Sequence, residues 1–284
     1  MSIELTGEAD RGLALPGLSA VTEAQQASSQ GIASTMLNKV PQVTLLFWIV
    51  KMMSTTVGET GADLLSGTLG WGMPLTTAVV TALLIGSLVL QFRASSYQPV
   101  RYWTVVVLIS VAGTLASDLL VDVAGVPLIV TTVLFSVLLA AVFVAWWLQE
   151  RTLSIHTINT KRREAFYWAA ILATFALGTS SGDLLGEALH LGYGLSALVF
   201  LSAVLLVAFL HFAFKLGAVP AFWIAYILTR PLGASLGDLL SQSVKHGGLG
   251  IGTIPVSIAF AACIIAAVAW FSRQERVTAQ AHAI

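Results

Sequence analysis

A tryptophan followed ten residues later by a glycine, and five residues after that by an aspartate, occurs four times in this chain, each time inside an apolar segment. The sets are Trp48/Gly58/Asp63, Trp103/Gly113/Asp118, Trp168/Gly178/Asp183 and Trp223/Gly233/Asp238, and each aspartate is followed by Leu-Leu. A long-period internal repeat is a fold-level signature that outweighs local propensity. An aspartate placed at the same point of four apolar segments marks a candidate functional site, because an ionised carboxylate is costly at membrane depth.

Composition decides the environment. Hydrophobic residues make up 57% of the 284 residues and charged ones 10%, against roughly 25% charged in a soluble domain. That balance places the chain among polytopic membrane proteins. Basic and acidic residues are equal at 14 each, so nothing in the net charge points to nucleic acid. The single cysteine, Cys263, excludes an intrachain disulfide or a thiolate cluster. The five histidines show no ligand spacing. No basic start followed by an apolar stretch appears before Lys39, so no signal peptide is expected.

At about 20 residues per transmembrane helix, eight spans are expected, near 42–65, 72–92, 99–121, 127–148, 163–186, 194–214, 219–241 and 253–272. The odd spans carry the Trp/Gly/Asp pattern, and the even ones are nearly uncharged. Each repeat then reads as a helical hairpin of one decorated and one plain helix. The Trp-to-Trp spacings of 55, 65 and 55 suggest two duplicated halves. The expected fold is thus all-α: a polytopic bundle of eight transmembrane helices in four parallel hairpin repeats. Residues 1–40 form a polar, mobile cytoplasmic tail, 41–148 the first membrane half, 149–162 a basic linker, 163–272 the second half and 273–284 a C-terminal tail.

Two spans per repeat make all four repeats run the same way through the membrane, unlike the inverted repeats of many transporters. Lys39, Arg93, Arg101, Arg151, Lys161, Arg162, Arg163, Lys215, Arg273 and Arg276 flank the end where odd helices begin, and the opposite loops hold only Lys245. The positive-inside rule then places both termini in the cytoplasm, with the chain in a bacterial inner membrane. Each aspartate lies about 22 Å along the helix from its tryptophan. The tryptophans are expected as interfacial anchors.

Within the odd spans stand two basic residues, Lys51 and Arg230. Arg230 precedes Pro231, which removes a backbone donor and frees the carbonyl of Tyr226 or Ile227. Glu59 lies one turn before Asp63 on the same face, where the other repeats have Thr114, Thr179 and Ala234. The functional expectation is that Asp63, Asp118, Asp183 and Asp238 meet near a pseudo-symmetry axis with Glu59, and that Thr60, Thr114, Thr179 and Ser235 supply further oxygens. Crowded carboxylates must protonate, pair with cations or bind a metal. An all-oxygen set favours hard ions such as Mg²⁺, Mn²⁺ or Ca²⁺. Lys51 and Arg230 are then internal counter-charges, each paired with an acid or with the carbonyls near Pro231. The structural alternative is a helix-end Asp-Leu-Leu motif at the water interface, with glycines for close helix crossing. Asp122, Glu187, His190 and His246 read as solvated loop residues.

The stretches Lys39-Val-Pro-Gln-Val-Thr, Phe47-Trp48-Ile-Val-Lys51 and Thr55-Thr56-Val-Gly58-Glu59-Thr60-Gly-Ala-Asp63 resemble a bacterial family of uncharacterised membrane-anchored proteins. The resemblance covers residues 39–272 and implies topology and origin, with no catalytic residues to carry over. Manganese exporters have similar paired acidic helices, but their characteristic motif is absent.

Three functions compete. A cation transporter, most plausibly for a divalent metal of the Mn or Mg class, accounts for the acidic repeats, the pseudo-symmetry and the internal basic residues. An intramembrane enzyme is the alternative, but no Ser–His pair, His-based zinc motif or aspartyl-protease acid pair supports one. A non-transporting scaffold gives no reason for Lys51 and Arg230. The expectation is therefore a non-enzyme with no resident cofactor. Its partners are the transported cation, the lipid bilayer and, in keeping with many such bundles, further copies of itself.

Overall fold

The computed structural model describes residues 38–281, so all but the last three residues of the expected N-terminal tail fall outside the described part. Among the described residues there are eight long helices and no strands: α1 (Leu45–Asp63), α2 (Met73–Phe92), α3 (Pro99–Asp118), α4 (Leu128–Glu150), α5 (Lys161–Asp183), α6 (Gly192–Phe214), α7 (Ala218–Ser241) and α8 (Thr253–Ala281). The starts obey local chemistry. The Thr44 hydroxyl caps α1 by accepting from the Phe47 amide at 3.2 Å, and Thr160 caps α5 in the same way through Arg163 at 3.3 Å. Prolines open α2 and α3, where a missing amide hydrogen costs nothing. α8 continues to Ala281, through most of the stretch expected as a tail, because nothing between Arg273 and Ala281 is a glycine or proline that would stop it.

Six of the eight helices are long and apolar enough to cross a membrane: α2, α3, α4, α5, α6 and α8. The others, α1 and α7, are the helices that carry Lys51 with Glu59 and Arg230 with Asp238. As in a multi-pass membrane protein, the plain helices expose broad apolar faces, with Leu83, Val137, Leu205 and Ile265 among the side chains left open. The decorated helices lie inside.

Their arrangement is a closed ring. α1 packs on α3, α3 on α5, α5 on α7, and α7 returns to α1. Every repeat glycine sits at one of these four crossings. A Cβ at Gly58 would collide with Ser110, one at Gly178 with Arg230, and one at Gly233 with Thr55. At Gly113 it would stand 2.6 Å from the Phe175 Cβ. In each case the residue met lies three positions before the glycine of the neighbouring repeat, so the crossings obey a fourfold pseudo-symmetry.

The plain helices stand outside this ring, and here the structure departs from the simple hairpin. α2 packs chiefly on α3, α4 on α5, α6 on α7 and α8 on α1. Each plain helix thus leans on the decorated helix of the next repeat rather than on its own. After the first three aspartates the turns Leu64–Thr68, Leu119–Val123 and Leu184–Ala188 are π-helical. The fourth decorated helix lacks such a turn and stays α-helical to Ser241. Between α6 and α8 an apolar groove of about 1130 Å³ runs over the α1–α7 contact, past Trp48, Met52, Leu201 and Phe260.

Candidate functional site

The inner ring encloses a column of side chains that can be followed from the N-terminal ends of the decorated helices. The residue before each repeat tryptophan is aromatic: Phe47, Tyr102, Tyr167 and Phe222. All four are buried, and the Tyr102 and Tyr167 hydroxyls lie 2.6 Å apart. Trp103, Trp168 and Trp223 are buried with them. Edge-to-face contacts such as Tyr102–Trp103 at 5.2 Å and Phe222–Trp223 at 5.2 Å knit the layer together. The expectation of interfacial anchors is therefore corrected for these three, which pack inside the bundle, Trp103 against Phe271 of α8 and Trp223 against Phe143 of α4. Trp48 is half-buried and lines the apolar groove.

One turn further along stands Lys51, fully buried. Its ammonium donates to the Tyr226 carbonyl at 2.9 Å and to the Thr229 hydroxyl at 2.5 Å. The Tyr226 carbonyl also accepts from the Thr229 hydroxyl at 3.0 Å, so Lys51, Tyr226 and Thr229 form one small hydrogen-bonded set.

Arg230 occupies the middle. It projects from the α7 crossing with Gly178 into the layer of Glu59, Thr114 and Thr179. Its Nη2 donates to Glu59 Oε2 at 3.2 Å, to Thr114 Oγ1 at 2.5 Å and to Thr179 Oγ1 at 2.8 Å. The Thr114 hydroxyl also donates to Glu59 Oε2 at 3.2 Å. One guanidinium thus touches the other three helices of the ring. The fourth repeat has Ala234 where the others place Glu59, Thr114 and Thr179, and this missing side chain leaves the space that Arg230 fills. Arg230 and Glu59 form a buried ion pair, with side chains 0% and 7% exposed.

Next come the aspartates. Carboxylate oxygens of Glu59, Asp183 and Asp238 lie within 4.8 Å of one another, a spacing that one cation could bridge. Asp238 is buried and Asp183 half-buried, and neither side chain has a hydrogen-bond or ion-pair partner among the described residues. Asp63 and Asp118 are half-buried and stand outside this group, and Asp63 accepts from Gln242 Nε2 at 3.3 Å. Of the five acids expected to meet, the structure gathers three. Thr114 and Thr179 reach the column as expected. Thr60 turns away, accepting from Ser257 of α8 at 2.8 Å, and the buried Ser235 hydroxyl has no hydrogen-bond partner among the described residues. Asp122 and Glu187, on the π-helical turns, and His190 and His246 are exposed, as expected of solvated residues.

Two features escaped the sequence reading. The buried Lys39–Glu164 ion pair at 2.7 Å, with Gln91 donating to Glu164 at 3.1 Å, ties the segment before α1 to the ends of α2 and α5. Lys39 is thus a paired interior charge, unlike Arg93, Arg101, Arg151 and Lys215, which are exposed. The aromatic plug was legible, since an aromatic residue precedes the repeat tryptophan in all four repeats.

The four repeat units match a family model described as the Repeat of Unknown Function (DUF347), at residues 46–97, 101–152, 166–216 and 221–277. The chain belongs to this family. Each matched stretch holds one decorated helix and the plain helix after it, so the DUF347 unit is the helix pair marked out by the Trp/Gly/Asp pattern. No curated protein and no solved structure matches the chain.

Proposed function

We propose that this protein is an integral membrane transporter of a divalent cation, of the manganese or magnesium class. The observation that carries the reading is the convergence of Glu59, Asp183 and Asp238 from three helices of the inner ring. Two of these acids lack a hydrogen-bond or ion-pair partner among the described residues, so a bound cation would supply the charge compensation that their burial demands. An all-oxygen set suits hard cations, and bound water would complete the coordination. Arg230 acts as a tethered stand-in for the ion: it shares Glu59 when the site is empty and yields it when a metal arrives. The basic residues at the N-terminal ends of the decorated helices support an orientation with that end, and both termini, in the cytoplasm of a bacterial inner membrane. The acids then face the outer side.

Mn²⁺ binding to the purified protein, counted by electron paramagnetic resonance, tests the site. Asp183→Asn and Asp238→Asn should each weaken binding at least about tenfold, a change of about 1.4 kcal/mol. Proteoliposome flux of Mn²⁺ should fall with them. Wild-type protein that binds neither Mn²⁺ nor Mg²⁺, or variants that bind as tightly as wild type, would rule the reading out.

A further inference from the structure

Lys51 takes no part in the carboxylate cluster, yet it is fully buried. Its two hydrogen-bond acceptors, the Tyr226 carbonyl and the Thr229 hydroxyl, are neutral. Its remaining surroundings are aromatic, with the Tyr226 ring centroid at 4.5 Å and that of Phe175 at 5.5 Å. Among the described residues no carboxylate pairs with it. α1 packs on α3, α7 and α8. The titratable or charged groups facing Lys51 are Tyr226 and Arg230, both from α7. Arg230 has the same sign as the ammonium, and its guanidinium lies over the same Phe175 ring at 5.3 Å.

These two buried cations differ in chemistry. A guanidinium cannot give up its proton in a protein, whereas a buried amine does so readily. Glu59 offsets the charge of Arg230. A metal that takes Glu59 removes that offset, and repulsion between Arg230 and Lys51 strengthens in a low-dielectric interior. The group able to relieve it is Lys51. Losing a proton strands nothing, because a neutral amine keeps two N–H groups, one for each of its two acceptors.

We propose that Lys51 is the proton-exchanging group of this protein, so that uptake of a divalent cation by Glu59, Asp183 and Asp238 expels the ammonium proton of Lys51 and makes the transporter a cation/proton exchanger. The proposal rests on the cation-site reading above. In the step, one N–H bond of the ammonium breaks, its electron pair stays on Nζ and the proton passes to water. The reverse occurs when the metal leaves. The buried hydroxyls of Tyr102 and Tyr167 lie one turn nearer the N-terminal ends of the decorated helices, and that of Tyr226 has no hydrogen-bond partner among the described residues. They offer polar stations on the way to that end.

The test titrates purified, weakly buffered protein with Mn²⁺, reading protons by an indicator dye and bound metal by electron paramagnetic resonance. Wild type should release one proton more per bound Mn²⁺ than Lys51→Met. Its apparent affinity should also rise with pH more steeply than that of the variant, by up to about tenfold per pH unit. Lys51→Arg, whose charge is permanent, provides a second arm if Lys51→Met does not fold. It should bind Mn²⁺ more weakly and lack the same proton. Either variant releasing as many protons per ion as wild type overturns the proposal and leaves the cation site standing. Wild type that binds no Mn²⁺ overturns the site itself, and the exchange with it.

Discussion

Arg230 and Glu59 show how a single pair can hold four helices. The guanidinium is out of reach of water and depends on one carboxylate and two threonine hydroxyls for compensation. Removing one partner of a buried pair leaves the other charge exposed to a low dielectric, at a cost of about 3–5 kcal/mol. Arg230→Met should therefore lower thermal stability in detergent sharply, and Glu59→Gln should do the same by isolating Arg230. The combination Glu59→Gln with Arg230→Met should recover much of the loss. Added Mn²⁺ should raise the melting temperature of Arg230→Met more than that of wild type, because the metal takes over the compensation of Glu59. An Arg230→Met protein as stable as wild type would show that the pair contributes nothing to the ring. The sequence announced both residues by their presence in apolar spans. Their mutual contact was hidden, because Arg230 reaches forward about one turn from its own position into a layer of other repeats, and only the small Ala234 hints at the vacancy it fills.

At the scale of elements, the repeat glycines do the work of positioning. A decorated helix can approach its neighbour closely only where no side chain intervenes, and all four crossings are placed at the same register. Gly113→Leu should disrupt the α3–α5 crossing, since even a Cβ there meets the Phe175 Cβ and the Ala176 backbone at 2.6–3.0 Å. Overpacking of this kind typically costs about 1–3 kcal/mol, and more where backbone rather than a flexible side chain must move. Gly86→Leu in α2 provides the control, because a Cβ there meets nothing within 4 Å. Reduced yield and melting temperature for Gly113→Leu beside unchanged values for Gly86→Leu is the expected result, and equal tolerance of both would refute the crossing role. The spacing of Trp, Gly and Asp made the decorated helices and their burial readable from sequence. What the spacing could not convey is the π-helical widening after three of the aspartates. That widening depends on turn geometry rather than on hydrophobic period, and the equal spacing of the repeats likewise does not encode which of the five acids gather as Glu59, Asp183 and Asp238.

For the whole molecule, the consequence of passing each plain helix to the next repeat is circular closure. α8 has no following repeat in the chain and packs instead on α1, so the last helix completes the first repeat. Sequence periodicity gives the order of units but is silent on which neighbour a lipid-facing helix leans against, since apolar faces are interchangeable in pattern. Closure has a direct signature in the contact between Ser257 of α8 and Thr60 of α1, whose hydroxyl oxygens lie 2.8 Å apart. Both side chains are buried, and 197 positions of sequence separate them. With Cys263 replaced by serine, Thr60→Cys and Ser257→Cys together should form a disulfide under mild oxidation in native membranes, because side chains in contact meet the short Cβ separation that such a bond requires. The product would be a covalent loop of nearly 200 residues that migrates faster on denaturing gels until reduced. It should also raise the unfolding temperature, since tying the two ends of the ring removes the opening motion available to an unlinked α8. A double-cysteine protein that stays reduced while folded and correctly inserted would mean that α8 does not close on α1, and the fourfold ring would then have an open side.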